Sequence, residues 1–220
     1  MSRIESRIMK HVDSLLERYP ILEECKDSIL SAYILLEQCY KNGGKLLSAG
    51  NGGSAADSEH MTGELMKLFR IARPIKQELA DKLKSIDSER GDFLAHNLEC
   101  SLMAISLVTH EAFTTACMND VNALGVFAQQ VLGYGKPEDA FFAISTSGNS
   151  ENIMHAVVVA RALGLKTIGL TGKDGGELSQ VVDVAIKVPE YETYKIQELH
   201  LPVYHCLCLM LEEKFFGIID

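Results

Sequence analysis

The sequence predicts an α/β fold, a parallel sheet with helices on both faces. Three observations carry that expectation. Short apolar stretches alternate with helical patterns, joined by short links. Two loops rich in Gly, Ser and Asn, at 50–54 and 145–150, each follow an apolar stretch and open a helix. The 220 residues are 47% hydrophobic, enough for one substantial core and a single domain, 1–220.

The elements follow in order. Residues 1–42 read as an N-terminal helical segment, suited to oligomerisation. Ile4, Ile8, Val12 and Leu15 recur at helical spacing, as do Ile29, Ala32, Tyr33 and Leu36. Tyr19-Pro20 divides this segment into two helices, and Asn42-Gly43-Gly44 ends it. Residues 45–49 are a strand, 50–54 a tight loop, and 55–68 a helix carrying His60 and Glu64. In 70–104 the pattern weakens. Residues 77–84 (QELADKLK) predict an amphipathic helix, 89–92 a turn, and 98–107 an apolar element of either helix or strand. A helix over 126–132 ends at Gly133. The second half is plainer: strands over 140–144, 166–170 and 184–188, helices over 151–163, 178–182 and 195–216.

Composition excludes some functions. The formal net charge is -9, which disfavours nucleic acid and anionic membrane surfaces as partners. A phosphorylated ligand would therefore be held by local donors. No apolar run reaches the roughly 20 residues of a membrane span. The polar, charged residues 1–10 do not read as a signal peptide, so a cytoplasmic location is expected. Six cysteines scattered through apolar patterns read as free buried thiols in a reducing compartment.

The loop Gly50-Asn51-Gly52-Gly53-Ser54 lets the backbone approach a ligand closely, and amide groups at a helix start favour an anion. The loop Ser145-Thr146-Ser147-Gly148-Asn149-Ser150 offers hydroxyl donors without net charge, which suits a phosphate monoester. Plain helix capping by Ser150 or Asn149 is the competing reading, but capping needs one such residue, not five.

These loops, with the later Thr-Gly-Lys-Asp-Gly-Gly at 171–176, resemble the sugar isomerase (SIS) domain. Three further blocks resemble the phosphoheptose isomerases within it: His60-x-x-x-Glu64, Asn119-Asp120, and Ile-Gln-Glu-Leu-His-Leu-Pro-Val-Tyr-His at 196–205. The resemblance covers most of the chain. It implies a three-layer αβα sandwich with a five-stranded, flavodoxin-like parallel sheet. It also implies a homotetramer with active sites at subunit interfaces. The implied reaction is aldose–ketose isomerisation of sedoheptulose 7-phosphate to D-glycero-D-manno-heptose 7-phosphate, toward the heptose of lipopolysaccharide. Asn51, Gly52, Gly53, Asn119, Asp120, Ser145, Thr146, Ser147, Ser150 and Gln197 match its substrate-binding positions. Ser54 and Glu64 join that set. His60, Glu64, Gln197 and His205 match positions tied to one Zn²⁺ per subunit or to catalysis.

Chemistry gives the same residues roles. Isomerisation through an enediol needs a base for a C–H proton, a group to move oxygen-bound protons, and polarisation of the carbonyl. Glu64 suits the base and His205 the acid/base partner. His60 and Glu64, four apart on a helix, face the same way and can share a metal. A packed core histidine is the competing reading of His205, which lies in a very apolar helix; His200 reads as structural. Gln197 and His205 are eight positions apart, about 12 Å along one straight helix, a stretch for one metal.

The stretch from Glu64 to Asn119 is longer than the family's usual spacing. Residues 70–104 read as a helical insertion, either a surface or interface elaboration or a lid over an altered sugar pocket. A non-catalytic SIS protein that binds a sugar phosphate, or assists initiation of DNA replication, is the rival function. An isomerase of another phosphosugar is a second rival.

Overall fold

The computed structural model describes residues 4–217; the first and last three residues of the predicted domain 1–220, and so the start of the segment 1–42, lie outside them. The strands are β1 (Leu46–Ala49), β2 (Ala104–Ser106), β3 (Ala140–Ile144), β4 (Lys166–Thr171) and β5 (Val184–Lys187). The helices are α1 (Ser6–Arg18), α2 (Lys26–Lys41), α3 (Gly53–Met66), α4 (Gln77–Ile86), α5 (Ser88–Asn97), α6 (Glu111–Cys117), α7 (Val126–Tyr134), α8 (Glu151–Ala162), α9 (Leu178–Val181) and α10 (Thr193–Phe216).

The five strands form one sheet in the order β2-β1-β3-β4-β5, every neighbouring pair parallel. This is the flavodoxin-like order that the family resemblance implies. Both faces are covered, which is why the inner strands read as continuous apolar runs rather than alternating ones. Along β3, Ala140, Phe142 and Ile144 enter one core, and Phe141 and Ala143 the other. The first core takes Ile8, Val12 and Leu15 of α1, Ile29 and Leu36 of α2, and Val203, Leu207 and Leu211 of α10. The second takes Phe127 and Val131 of α7 and Ile153 and Val157 of α8. Burying each such large side chain contributes about 1.5–3 kcal/mol. The apolar stripe of the N-terminal segment is thus committed to the chain's own core.

The strand order reverses between β1 and β3, and open α/β sheets bind ligands in the crevice at such a point. The loops at 50–54 and 145–150 leave those two strands and frame that crevice.

Four elements differ from the sequence reading. Residues 89–92 are not a turn but the first half of α5. The turn comes earlier, at Asp87, whose carboxylate accepts from the Arg90 N–H at 2.8 Å and caps the helix. Of 98–107, only Ala104–Ser106 is strand, an edge strand beside β1. Residues 111–117, to which the sequence reading assigns no element, are α6. Residues 20–25 form a 3-10 turn between the two N-terminal helices. The insertion over 70–104 is a hairpin of α4 and α5, anchored by a bridge between Pro74 and Glu99. It leaves Leu79, Ile86 and Phe93 exposed. All six cysteines are free, and five of them are buried. Among the described residues, no helix is long and apolar enough to cross a membrane.

Candidate active site

The helix α3 begins inside the first loop, so Gly53 and Ser54 form its first turn. No side chain caps it, and none caps α8, although Ser150 occupies the capping position. The Ser150 hydroxyl instead lies 3.0 Å from that of Ser145. Two helix N-termini therefore face the crevice with amide donors unclaimed by a side-chain cap, the arrangement that attracts an anion. This disfavours plain capping as the purpose of the serine-rich loop.

The loops are fastened to each other and to the turn behind them. Asn51 and Asn152 exchange two amide hydrogen bonds, each 2.9 Å, joining the first loop to the start of α8. Gly148 has φ 67°, and an added Cβ would lie 2.0 Å from the Gly175 carbonyl oxygen, so only glycine fits there. The Leu178 N–H donates to the Gly148 carbonyl at 2.9 Å, and the Glu177 N–H to Asn149 Oδ1 at 2.9 Å. Thr146, Ser147, Asn149, Lys173 and Tyr191 line a cavity of about 220 Å³ between loop and turn.

The second cluster lies further along α3. Glu64 Oε1 is 3.2 Å from His60 Nε2, and His60 Nε2 is 3.4 Å from His205 Nε2 on α10. Glu64 Oε2 is buried without a hydrogen-bond partner; Lys67 Nζ stands 3.6 Å away. Burial and the nearby His60 pull the His205 pKa below the usual histidine value, so a neutral imidazole is favoured. Tyr204 reaches the same cluster, with its hydroxyl 3.0 Å from His60 Nδ1 and 3.3 Å from Asp57 Oδ1. Burial pushes Asp57 up to about 6.

Gln197 lies elsewhere. Its amide nitrogen sits 2.5 Å from where a Gly53 Cβ would be, so the Gln197 amide lies directly against Gly53. That places it at the mouth of the first loop, seven residues or about 10 Å along α3 from His60. The helix α10 runs unbroken through Pro202, so no break in it shortens the span to His205. Asn119 and Asp120 are exposed on the turn Met118–Asn122 and bonded to each other at 2.8 Å. His200 is fully buried, burial pushes it down to about 4, and neither ring nitrogen has a hydrogen-bond partner among the described residues.

The two short edges meeting at His60 Nε2 suit a metal. Ligands on a tetrahedral zinc at about 2.0–2.1 Å stand about 3.3 Å apart. Imidazole and carboxylate are suitable donors, and Glu64 Oε1 is the carboxylate oxygen that faces His60 Nε2. His60, Glu64 and His205 are the residues able to hold it. They meet pairwise; among the described residues, no three His, Cys, Asp or Glu side chains already form a metal-holding group.

Asp57, Asn152 and Tyr204 were not singled out from the sequence. Asp57 precedes His60 by three positions and so shares its helix face, the one available signal.

A family model described as the SIS domain matches residues 9–99 and 94–172. A phosphoheptose isomerase of Trichlorobacter lovleyi is 41% identical over 179 residues, covering 81% of this chain and 78% of that protein. The chain belongs to the phosphoheptose isomerase family of SIS-domain proteins. Phosphoheptose isomerase 2 of Campylobacter jejuni, a member of this family, is 36% identical over 220 residues, 99% of this chain and 96% of its own. The solved structure of the Francisella tularensis phosphoheptose isomerase superposes with a TM-score of 0.73 at 30% identity, covering 94% of this chain and 97% of that one.

Proposed function

We propose that this SIS-family isomerase converts sedoheptulose 7-phosphate to D-glycero-D-manno-heptose 7-phosphate. The observation that carries the reading is that α3 bears two chemically distinct clusters, one at its N-terminus beside the crevice and one further along it. One holds two uncapped helix N-termini and the Ser145–Ser150 hydroxyl pair. The other holds a carboxylate with a free buried oxygen beside two imidazoles. The first suits a phosphate. The second suits proton transfer between adjacent carbons.

In this reading Asn51, Gly52, Gly53, Ser54, Ser145, Thr146, Ser147 and Ser150 grip the phosphate, and Gln197 contacts the sugar chain beside Gly53. Asn119 and Asp120 join them from their exposed turn. Glu64 takes the C–H proton through Oε2, the oxygen not facing His60, and returns it to the neighbouring carbon. His205, neutral at working pH, shuttles the oxygen-bound proton. His60, Glu64 and His205 would hold Zn²⁺, which when bound supplies Lewis-acid polarisation of the substrate oxygens. A homotetramer with interface sites fits a hairpin that leaves Leu79, Ile86 and Phe93 exposed. The free thiols fit a cytoplasmic enzyme. The product would feed heptose synthesis for lipopolysaccharide.

The test is incubation of metal-replete protein with sedoheptulose 7-phosphate, following the aldose by NMR, with and without added Zn²⁺. Aldose formation is expected. Turnover of a different ketose phosphate alone would change the substrate but keep the chemistry. Binding without turnover of any ketose phosphate would make the protein a sugar-phosphate binder. The phosphate grip has its own test in Ser145→Ala. Hydrogen bonds to a charged group are worth about 1.5–3 kcal/mol, so KM is expected to rise roughly ten- to hundred-fold while kcat changes little. An unchanged KM would remove Ser145 from the grip.

A further inference from the structure

Tyr204 is 1% exposed, directly precedes His205 on α10, and has no part in the chemistry described above. Its ring stands edge-on to both histidines, with centroids 5.6 Å from His60 and 5.0 Å from His205. Its hydroxyl is the sole atom within hydrogen-bond reach of both Asp57 and His60 among the described contacts. A phenol has one proton to donate, and an ionised carboxylate can only accept. With the proton directed at Asp57 Oδ1, the Tyr204 oxygen is left to accept from His60 Nδ1–H. An ordinary phenol keeps that proton at pH 8. A neutral His60 then carries its hydrogen on Nδ1 and presents a bare Nε2 to Glu64 and His205.

We infer that Tyr204, backed by Asp57, is a positioning residue that locks His60 in the Nδ1–H tautomer, so that Nε2 faces Glu64 and His205 as an acceptor. The inference rests on reading this cluster as the place of reaction. Its geometry stands whether or not that cluster turns over a sugar. An acceptor nitrogen 3.2 Å from a carboxylate oxygen is uncomfortable unless a cation lies between them. The lock therefore prepares the pair for a proton or a metal ion, as carboxylate partners behind metal-ligating histidines commonly do. The opposite arrangement, Tyr204 donating to Nδ1, puts the His60 proton on Nε2. That would make the His60–Glu64 contact an ordinary hydrogen bond.

Imidazole ¹⁵N–¹H correlation spectra of the metal-free protein, labelled at histidine, separate the two. Spectra are taken at about pH 8, above the ordinary histidine and carboxylate ranges. The His60 signals are assigned by their loss in His60→Asn. The expected wild-type pattern is a protonated Nδ1 and a bare Nε2. Tyr204→Phe keeps the ring and its packing, so the fold is expected to hold. Its His60 proton is expected to move to Nε2. Asp57→Asn is the second variant: the new amide donates to the Tyr204 oxygen, Tyr204 donates to Nδ1, and the proton again moves to Nε2. In sugar-phosphate turnover, Tyr204→Phe is expected to lower kcat about ten-fold with KM within about two-fold. A wild-type His60 protonated on Nε2, or a tautomer indifferent to both variants, would overturn the inference. Failure of turnover in wild type with the tautomer as expected would reject the proposed function and leave the lock standing.

Discussion

Glu64→Gln is expected to lower kcat by about 10³-fold, inside the range a positioned general base contributes, with KM within a few-fold. Glutamine keeps the volume and one acceptor oxygen but has no basic site. The side chain is 13% exposed, and the contacts that lose their charge partner, to His60 at 3.2 Å and Lys67 at 3.6 Å, involve largely exposed cations and contribute little to stability. The fold is expected to be as stable as wild type by thermal melting. Zinc affinity is measured in parallel by titration, because Glu64 also stands in the proposed metal set. A kcat loss that excess Zn²⁺ restores would make Glu64 a ligand rather than the base. A loss that persists at metal saturation fits the base. Wild-type kcat in the variant would remove Glu64 from the chemistry. His205→Ala is the companion variant, expected to cost less because solvent can replace a proton shuttle on oxygen more readily than a base on carbon.

The largest stability effect is expected at Arg73. Its side chain and that of Glu212 are 0% and 1% exposed and meet at 2.7 Å. Glu212 also accepts from the Phe69 and Arg70 N–H groups at 2.8 and 2.9 Å, closing the chain just beyond α3. Arg73 donates further to the Leu65 and Glu64 carbonyls at 2.8 and 3.2 Å. Its guanidinium also lies 4.6 Å over the Phe216 ring. Arg73→Met strips Glu212 of its countercharge while leaving the carboxylate buried. Breaking one half of such a pair costs about 3–5 kcal/mol. At about 2–4 °C per kcal/mol for a chain of this size, the melting temperature is expected to fall by about 10 °C or more. Arg73→Met combined with Glu212→Gln is expected to recover part of that loss. The charge is gone, and the glutamine oxygen still accepts a backbone N–H. A melting temperature within about 2 °C of wild type in the single variant would show that the pair does not hold the end of α3.

Local sequence carried the inner strands and their loops well. β1, β3 and β4 are buried on both faces, and each ends in a loop or turn of unmistakable composition. β2 was ambiguous because an edge strand of three residues has no periodicity to display. α5 was hidden by its own first turn. Ser-Glu-Arg-Gly-Asp looks like a turn, yet acidic residues at a helix start suit its dipole, and Asp87 supplies the cap. The fifth strand and the strand order came from the family resemblance rather than from any local pattern. At the site, spacing on a single helix placed His60 beside Glu64. It could not reveal Tyr204 and Asp57, whose meeting depends on how α10 lies against α3, nor the Asn51–Asn152 pair across the crevice. Spacing did foretell the separation of Gln197 from His205, which the course of α10 preserves.

Isomerisation in D₂O probes the enediol route most directly. Metal-replete protein is given sedoheptulose 7-phosphate, and both sugars are read by ¹H and ²H NMR. A base that takes the C–H proton exchanges it with solvent in part. The expected result is therefore heptose 7-phosphate carrying deuterium at C2, deuterium at C1 of recovered ketose, and loss of both signals in Glu64→Gln. Aldose formed with no deuterium at either carbon, or formed equally fast by Glu64→Gln at metal saturation, would contradict proton transfer through Glu64.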